Sequence, residues 1–76
     1  MKVSEARIIL YLYTADKQKK YATLISRKLK IDYSYVNRLL NEMEGKQWIK
    51  SYPSRTKIFY SVTRKKYITE AGKRLL

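Results

Sequence analysis

Leu24-Ile25-Ser26-Arg27-Lys28-Leu29, then Lys30-Ile31-Asp32, then Tyr33-Ser34-Tyr35-Val36-Asn37-Arg38-Leu39-Leu40-Asn41-Glu42-Met43-Glu44, is the stretch on which the fold turns. In its last part Val36, Leu39, Leu40 and Met43 stand at offsets of 3, 4 and 7, the spacing of one helix face. Asp32 is a good N-cap for a helix over Tyr33–Glu44, and Gly45 is placed to end it in a left-handed turn. Before it, Leu24, Ile25 and Leu29 predict a shorter helix, from about Thr23, its candidate cap, to Leu29. Lys30-Ile31-Asp32 leaves room only for a tight turn between the two.

Downstream the period changes. Trp48–Tyr52 and Lys57–Val62 are rich in aromatic and β-branched residues, and Pro53-Ser54-Arg55-Thr56 between them is turn-prone and basic. That pattern predicts a β-hairpin. After Val62 two readings stand. In one, Thr63 caps a helix running to Leu76, with Tyr67, Ile68, Ala71 and Leu75 inward; in the other the extended chain continues to Ile68 and Thr69 caps a shorter helix. Apolar spacing favours the longer helix, although Gly72 inside it costs about 1 kcal/mol relative to Ala.

Upstream, Ser4–Ala15 predicts a first helix, with Val3, Ala6, Ile9, Leu10 and Tyr13 near one face and Ile8, Tyr11 and Leu12 extending the apolar surface past it. A helix apolar on more than one side needs more cover than a small domain readily supplies. Either the rest of the domain wraps it or a second copy does. The preferred reading is a homodimer through the first helix and the C-terminal one. Asp16–Lys20 is a polar connection. The expectation is one domain over residues 1–76, mainly α with a small β-hairpin, in the order helix, helix, tight turn, helix, hairpin, helix.

Eighteen Lys and Arg against six Asp and Glu give a formal net charge of +12. Such a field attracts a polyanion: nucleic acid, an anionic membrane or an acidic protein. Cysteine and histidine are both absent, which excludes disulfides, thiolate metal sites and imidazole chemistry. The acids are scattered, and no glycine-rich phosphate loop exists. No enzyme activity, catalytic residue, cofactor or metal is expected, and the core is too thin to spare a small-molecule pocket. The longest apolar run, Ile8-Ile9-Leu10-Tyr11-Leu12-Tyr13, falls far short of the roughly 20 residues that span a bilayer, and no signal-type cleavage site follows it. No membrane partner is expected, and the anticipated location is cytoplasmic and nucleoid-associated.

The segment from Leu24 to Asp32, with Tyr35-Val36-Asn37-Arg38-Leu39-Leu40, Met43 and Trp48-Ile49, resembles the winged helix-turn-helix domain of bacterial and archaeal transcription regulators of the MarR, ArsR and PadR type. Arg55–Thr63 resembles the second wing strand of such domains and its closing threonine; Thr69–Leu76 resembles a stretch that follows the wing. The resemblance covers roughly Tyr21 to Leu76. It departs at Ser26, where a small alanine is common, and at Gln47, where a glycine usually precedes the first wing strand. It implies double-stranded DNA as partner, with Tyr33–Glu44 as the recognition helix in the major groove.

The residues opposite the buried stripe suit that role. Tyr33, Ser34, Asn37, Arg38 and Asn41 include no acid. Arg pairs with guanine and Asn with adenine through two hydrogen bonds each, while Tyr33 and Ser34 at the helix start suit phosphate. Glu42 and Glu44 lie at the far end, expected to point away from a duplex. Tyr35 either contacts the nucleic-acid backbone or packs under the second helix. Six basic residues from Lys17 to Lys30, Arg27 and Lys28 among them, and seven from Lys46 to Lys66 flank the helix, with no acid in either segment. Arg55, Thr56 and Lys57 at the wing tip are the candidates for the adjacent backbone or minor groove. Lys17–Lys20 is either part of this surface or a flexible loop. Tyr13, Trp48, Phe59 and Tyr67 are expected in the core, with Tyr52 and Tyr60 exposed on the hairpin. The alternative function is an architectural, nucleoid-type protein that coats DNA without reading bases.

Overall fold

The computed structural model describes residues 1–76. Its elements are α1 (Val3–Thr14), a 3-10 turn (Lys17–Lys19), α2 (Ala22–Leu29), α3 (Tyr33–Gly45), β1 (Ile49–Pro53), β2 (Ile58–Val62) and α4 (Lys65–Leu75). This is the expected mainly helical chain with one antiparallel hairpin.

Helix α1 is the spine. Ala6, Ile8, Ile9 and Leu12 are each at most 1% exposed, packed chiefly against α4 with β2 and α2 closing other sides. Much of the apolar surface that argued for a second copy is therefore covered within the chain; Leu10 and Tyr11 stay half-buried and Val3 exposed. Tyr13, expected in the core, is 58% exposed; Leu12 takes the inward position in that last turn. Glu5 is buried beside the apolar residues. Its Oε1 accepts a hydrogen bond from the Lys2 amide at 2.7 Å, and its Oε2 has only the Lys46 ammonium nearby, at 3.8 Å.

Helix α2 begins one residue before Thr23, and Thr23 does not cap it. The N-cap is Tyr21, whose backbone is extended because it forms a β-bridge with Phe59. The adjoining Lys20 carbonyl accepts from the Tyr60 amide at 2.9 Å. The chain thus leaves a strand-like contact with the hairpin and enters the helix directly.

Two left-handed residues shape the helix exits. Lys30, at φ 56°, ends α2, and the Ser26 hydroxyl donates to the Ile31 carbonyl at 2.6 Å across the turn. The serine that departs from the family pattern is a brace for the helix-helix turn. Asp32 caps α3 as expected, its carboxylate accepting from the Tyr35 amide at 3.3 Å, and Val36, Leu39, Leu40 and Met43 are fully buried. Gly45 does not make the left-handed turn. It continues the helix, and Gln47 at φ 64° reverses the chain. The Gln47 amide donates to Glu44 and the Trp48 amide to Met43, at 2.9 and 3.0 Å, a Schellman closure placed two residues beyond the glycine.

In the hairpin Ile49 pairs with Val62, Tyr52 with Phe59 and Pro53 with Ile58. Pro53 is tolerated because β1 is the outer edge. Alternation sends Tyr60 inward with Ile49, so Tyr60 is buried at 6% exposure, against the expectation, while Tyr52 stays open as expected. Phe59 is half-buried, with the Tyr21 ring edge-on at 5.9 Å. Trp48 is half-buried and packs beside Tyr67 at 6.0 Å. Neither threonine caps the last helix. The Thr63 hydroxyl donates to the Gln47 and Trp48 carbonyls at 2.7 and 2.9 Å, fastening the hairpin's ends, and Thr69 lies inside α4. The longer of the two helix readings holds, starting at Lys65 after Arg64; Ala71 is buried, but Leu75 is 39% exposed. No helix is long and apolar enough to cross a membrane.

Candidate nucleic-acid interface

The tight turn after α2 and the Asp32 cap set the start of α3 beside the hairpin tip. Tyr33, in the first turn of α3, and Asn37, one turn on, line an open cleft of about 320 Å³ with Arg55, Thr56 and Lys57. Tyr21 and Thr23 from the start of α2, with Ser54, Ile58 and Tyr60 from the hairpin, complete its walls. No acidic side chain lines it. Its polar groups are an amide, several hydroxyls, a guanidinium and an ammonium, a set able to donate to phosphate and to pair with base edges.

The wing tip is held in shape. The Ser54 amide donates to the Lys57 carbonyl at 2.7 Å, and the Lys57 ammonium sits 4.4 Å from the centre of the Tyr21 ring. Arg55 and Thr56 project beyond this closure and are exposed. The Tyr60 phenol is raised above the usual tyrosine value of 10.0 by burial, then by Glu44 and Tyr33, so it stays a neutral donor at physiological pH.

The other predicted site residues lie around this cleft in different ways. Ser34, Arg38 and Asn41 are exposed on α3 outside its walls. Tyr35 is half-buried against the core, with the Arg38 guanidinium 4.9 Å above its ring, so packing is its principal environment. Arg38 also approaches Glu42 at 3.8 Å, so Glu42 does not simply point away; Glu44 accepts a hydrogen bond from Ser51. The Arg38–Glu42 pair is exposed on both sides (68% and 41%) and is worth less than about 1 kcal/mol, so Arg38 can exchange partners at little cost. On α2, Arg27 follows Thr23 by one turn on the cleft side, whereas Lys28 is rotated by more than a quarter turn towards the other flank. The Lys17–Lys19 turn is tied down by the Tyr11 hydroxyl, which donates to the Lys19 carbonyl at 2.7 Å. Sequence reasoning missed Tyr21 and Thr23 as cleft residues. Their position comes from the bridge to Phe59, a contact between distant segments that no periodicity encodes.

This is a winged helix-turn-helix fold: α2 and α3 form the helix-turn-helix, and β1 and β2 the wing. No protein-family model matches the chain. No curated protein matches it either. Solved structures do. A point mutant of MepR from Staphylococcus aureus superposes with a TM-score of 0.84 at 18% identity, over 99% of this chain and 58% of that one. ZitR of Lactococcus lactis in complex with DNA gives 0.77 at 22% identity, over 99% and 51%. MepR described as a transcription regulator of a multidrug efflux pump gives 0.76 at 19%, over 95% and 53%. At these identities the likeness is one of fold, and the chain spans about half the length of the chains it matches.

Proposed function

We propose that this chain is a DNA-binding transcriptional regulator that sets α3 in the major groove of double-stranded DNA and the wing tip on the adjacent backbone or minor groove. The observation that carries the reading is the shared, acid-free cleft in which Tyr33 and Asn37 of the helix face Arg55, Thr56 and Lys57 of the wing. Asn37, Arg38 and Asn41 read base edges; Tyr33, Ser34, Arg27 and Lys28 hold phosphates on either side. The ZitR structure with DNA, on the same fold, supports the choice of partner. No catalytic role is assigned to the protein, and its place is with nucleoid DNA in the cytoplasm.

As part of the same reading the protein acts as a homodimer through α1 and α4. Support is narrower than the sequence suggested and rests on the exposed Val3, Leu75 and Leu76 rather than on the filled side of α1. Two copies would place their α3 helices in successive major grooves about 34 Å apart. Selection of bound duplexes from a random pool tests the proposal. An inverted repeat is expected, and Arg38→Ala should relax base discrimination more than it weakens overall affinity. Enrichment of no motif would favour the second reading, an architectural protein. The charge of +12 on 76 residues is what favours it, and its affinity would then follow counterion release alone, with a salt slope near −0.9 per phosphate contact.

A further inference from the structure

The hairpin has a second face. Alternation along the strands puts Lys50, Tyr52, Phe59 and Ser61 on the side opposite Ile49 and Tyr60. On it Tyr52 lies directly across from Phe59, an aromatic rung, and the neighbouring pair on the same face is Lys50 with Ser61. Tyr52 is half exposed, and the Lys50 ammonium lies 5.8 Å from its ring centre. The 3-10 turn brings Lys17 and Lys20 alongside, closing a groove of about 460 Å³ whose walls also include Gln18 and Ser61. It shares Tyr60 with the recognition cleft but none of Tyr33, Asn37 or Arg55. No acidic residue lines it.

We propose that this outer face of the wing is a separate binding site for single-stranded nucleic acid, with an unpaired base stacked on Tyr52 and Phe59 and its neighbouring phosphates held by Lys17, Lys20 and Lys50. The occupant follows from two features found together. A flat aromatic rung on a sheet surface accepts any base by stacking, and a rim whose only charges are positive favours a polyanion on either side of that base. An apolar peptide would leave the lysines unused. A duplex would leave the rung unused, because its bases are already stacked on each other. The site goes beyond duplex recognition, and Tyr52, Phe59, Lys17, Lys20 and Lys50, which would hold the strand, are not among the residues that line the recognition cleft.

Fluorescence anisotropy of the full chain with labelled dT8 and rU8 tests it, beside a labelled 20-base-pair duplex. Saturable binding of an octamer is expected, and Tyr52→Ala should weaken it by about tenfold while leaving duplex affinity within about twofold. Tyr52→Phe should restore it, because the hydroxyl takes no part in stacking. Lys17→Glu should weaken the octamer independently, which keeps the test open if Tyr52→Ala perturbs the hairpin. Tighter binding of dT8 or of rU8 identifies the strand as DNA or RNA. The proposal is overturned if neither octamer saturates, if the octamer is displaced by duplex in simple competition, if Tyr52→Ala weakens octamer and duplex equally, or if an acidic Tyr/Phe-containing peptide binds more tightly than either strand. Retained duplex binding with no octamer binding sinks this site alone, whereas loss of duplex binding in the unmodified chain sinks the recognition cleft.

Discussion

Helices α1 and α3 are nearly the same length and both contribute heavily to the core, yet they serve opposite ends. Helix α1 buries Ala6, Ile8, Ile9 and Leu12 among α4, β2 and α2. Helix α3 buries only the stripe of Val36, Leu39, Leu40 and Met43 and leaves Tyr33, Ser34, Arg38 and Asn41 in the open. Apolar breadth in α1 reflects a small domain gathering around one helix. Strict amphipathicity in α3 reflects a helix with something to touch. The contrast separates stability from recognition, and it can be broken residue by residue.

The largest effect belongs on the α1 side. Ile8→Ala should cost about 2–5 kcal/mol, a large part of the stability of so small a domain, and urea unfolding would read it. DNA binding should fall only in proportion to the unfolded fraction. Arg55→Ala should do the reverse, weakening duplex binding by roughly tenfold in a titration while moving stability by no more than about 0.5 kcal/mol. If Ile8→Ala abolished binding in a chain that stays folded, the division between the two helices would be wrong.

Two smaller changes sharpen the picture at the ends of the helix-turn-helix. Ser26→Ala removes the brace to the Ile31 carbonyl and should cost about 1 kcal/mol, visible as a lowered midpoint in thermal melting. Gln47→Gly relieves a left-handed non-glycine residue. Part of that gain is lost to the greater freedom of glycine in the unfolded chain, so a net stabilisation of about 0.5 kcal/mol is expected in the same melts. Gly45→Ala should not cause strain, because Gly45 is helical and a methyl group there meets no atom within 4 Å.

What the sequence made legible was local. The spacing of Val36, Leu39, Leu40 and Met43, the Asp32 cap and the change of period at Trp48 placed α3 and the hairpin within a residue or two. What escaped was set by distant contacts. Tyr60 and Tyr52 have the same chemistry, and only the register against Ile49 and Phe59 decides which is buried. Thr63 has the chemistry of a helix cap but is claimed by the Gln47 and Trp48 carbonyls. Glu5, of a residue type seldom buried, is buried here, where it closes the first turn of α1 by accepting from the Lys2 amide and lies within reach of Lys46. In the site, the α3 face and the wing tip were legible as separate basic or polar stretches. Their convergence on one cleft, with Tyr21 and Thr23, depended on the bridge between Tyr21 and Phe59.

The most direct measurement is backbone amide NMR of the labelled protein titrated with a selected duplex. Shifts concentrated at residues 33–41 and 54–57, with α1 and α4 little changed, are the predicted result. Shifts centred on α1 and α4, with Asn37 and Arg55 unmoved, would contradict the account.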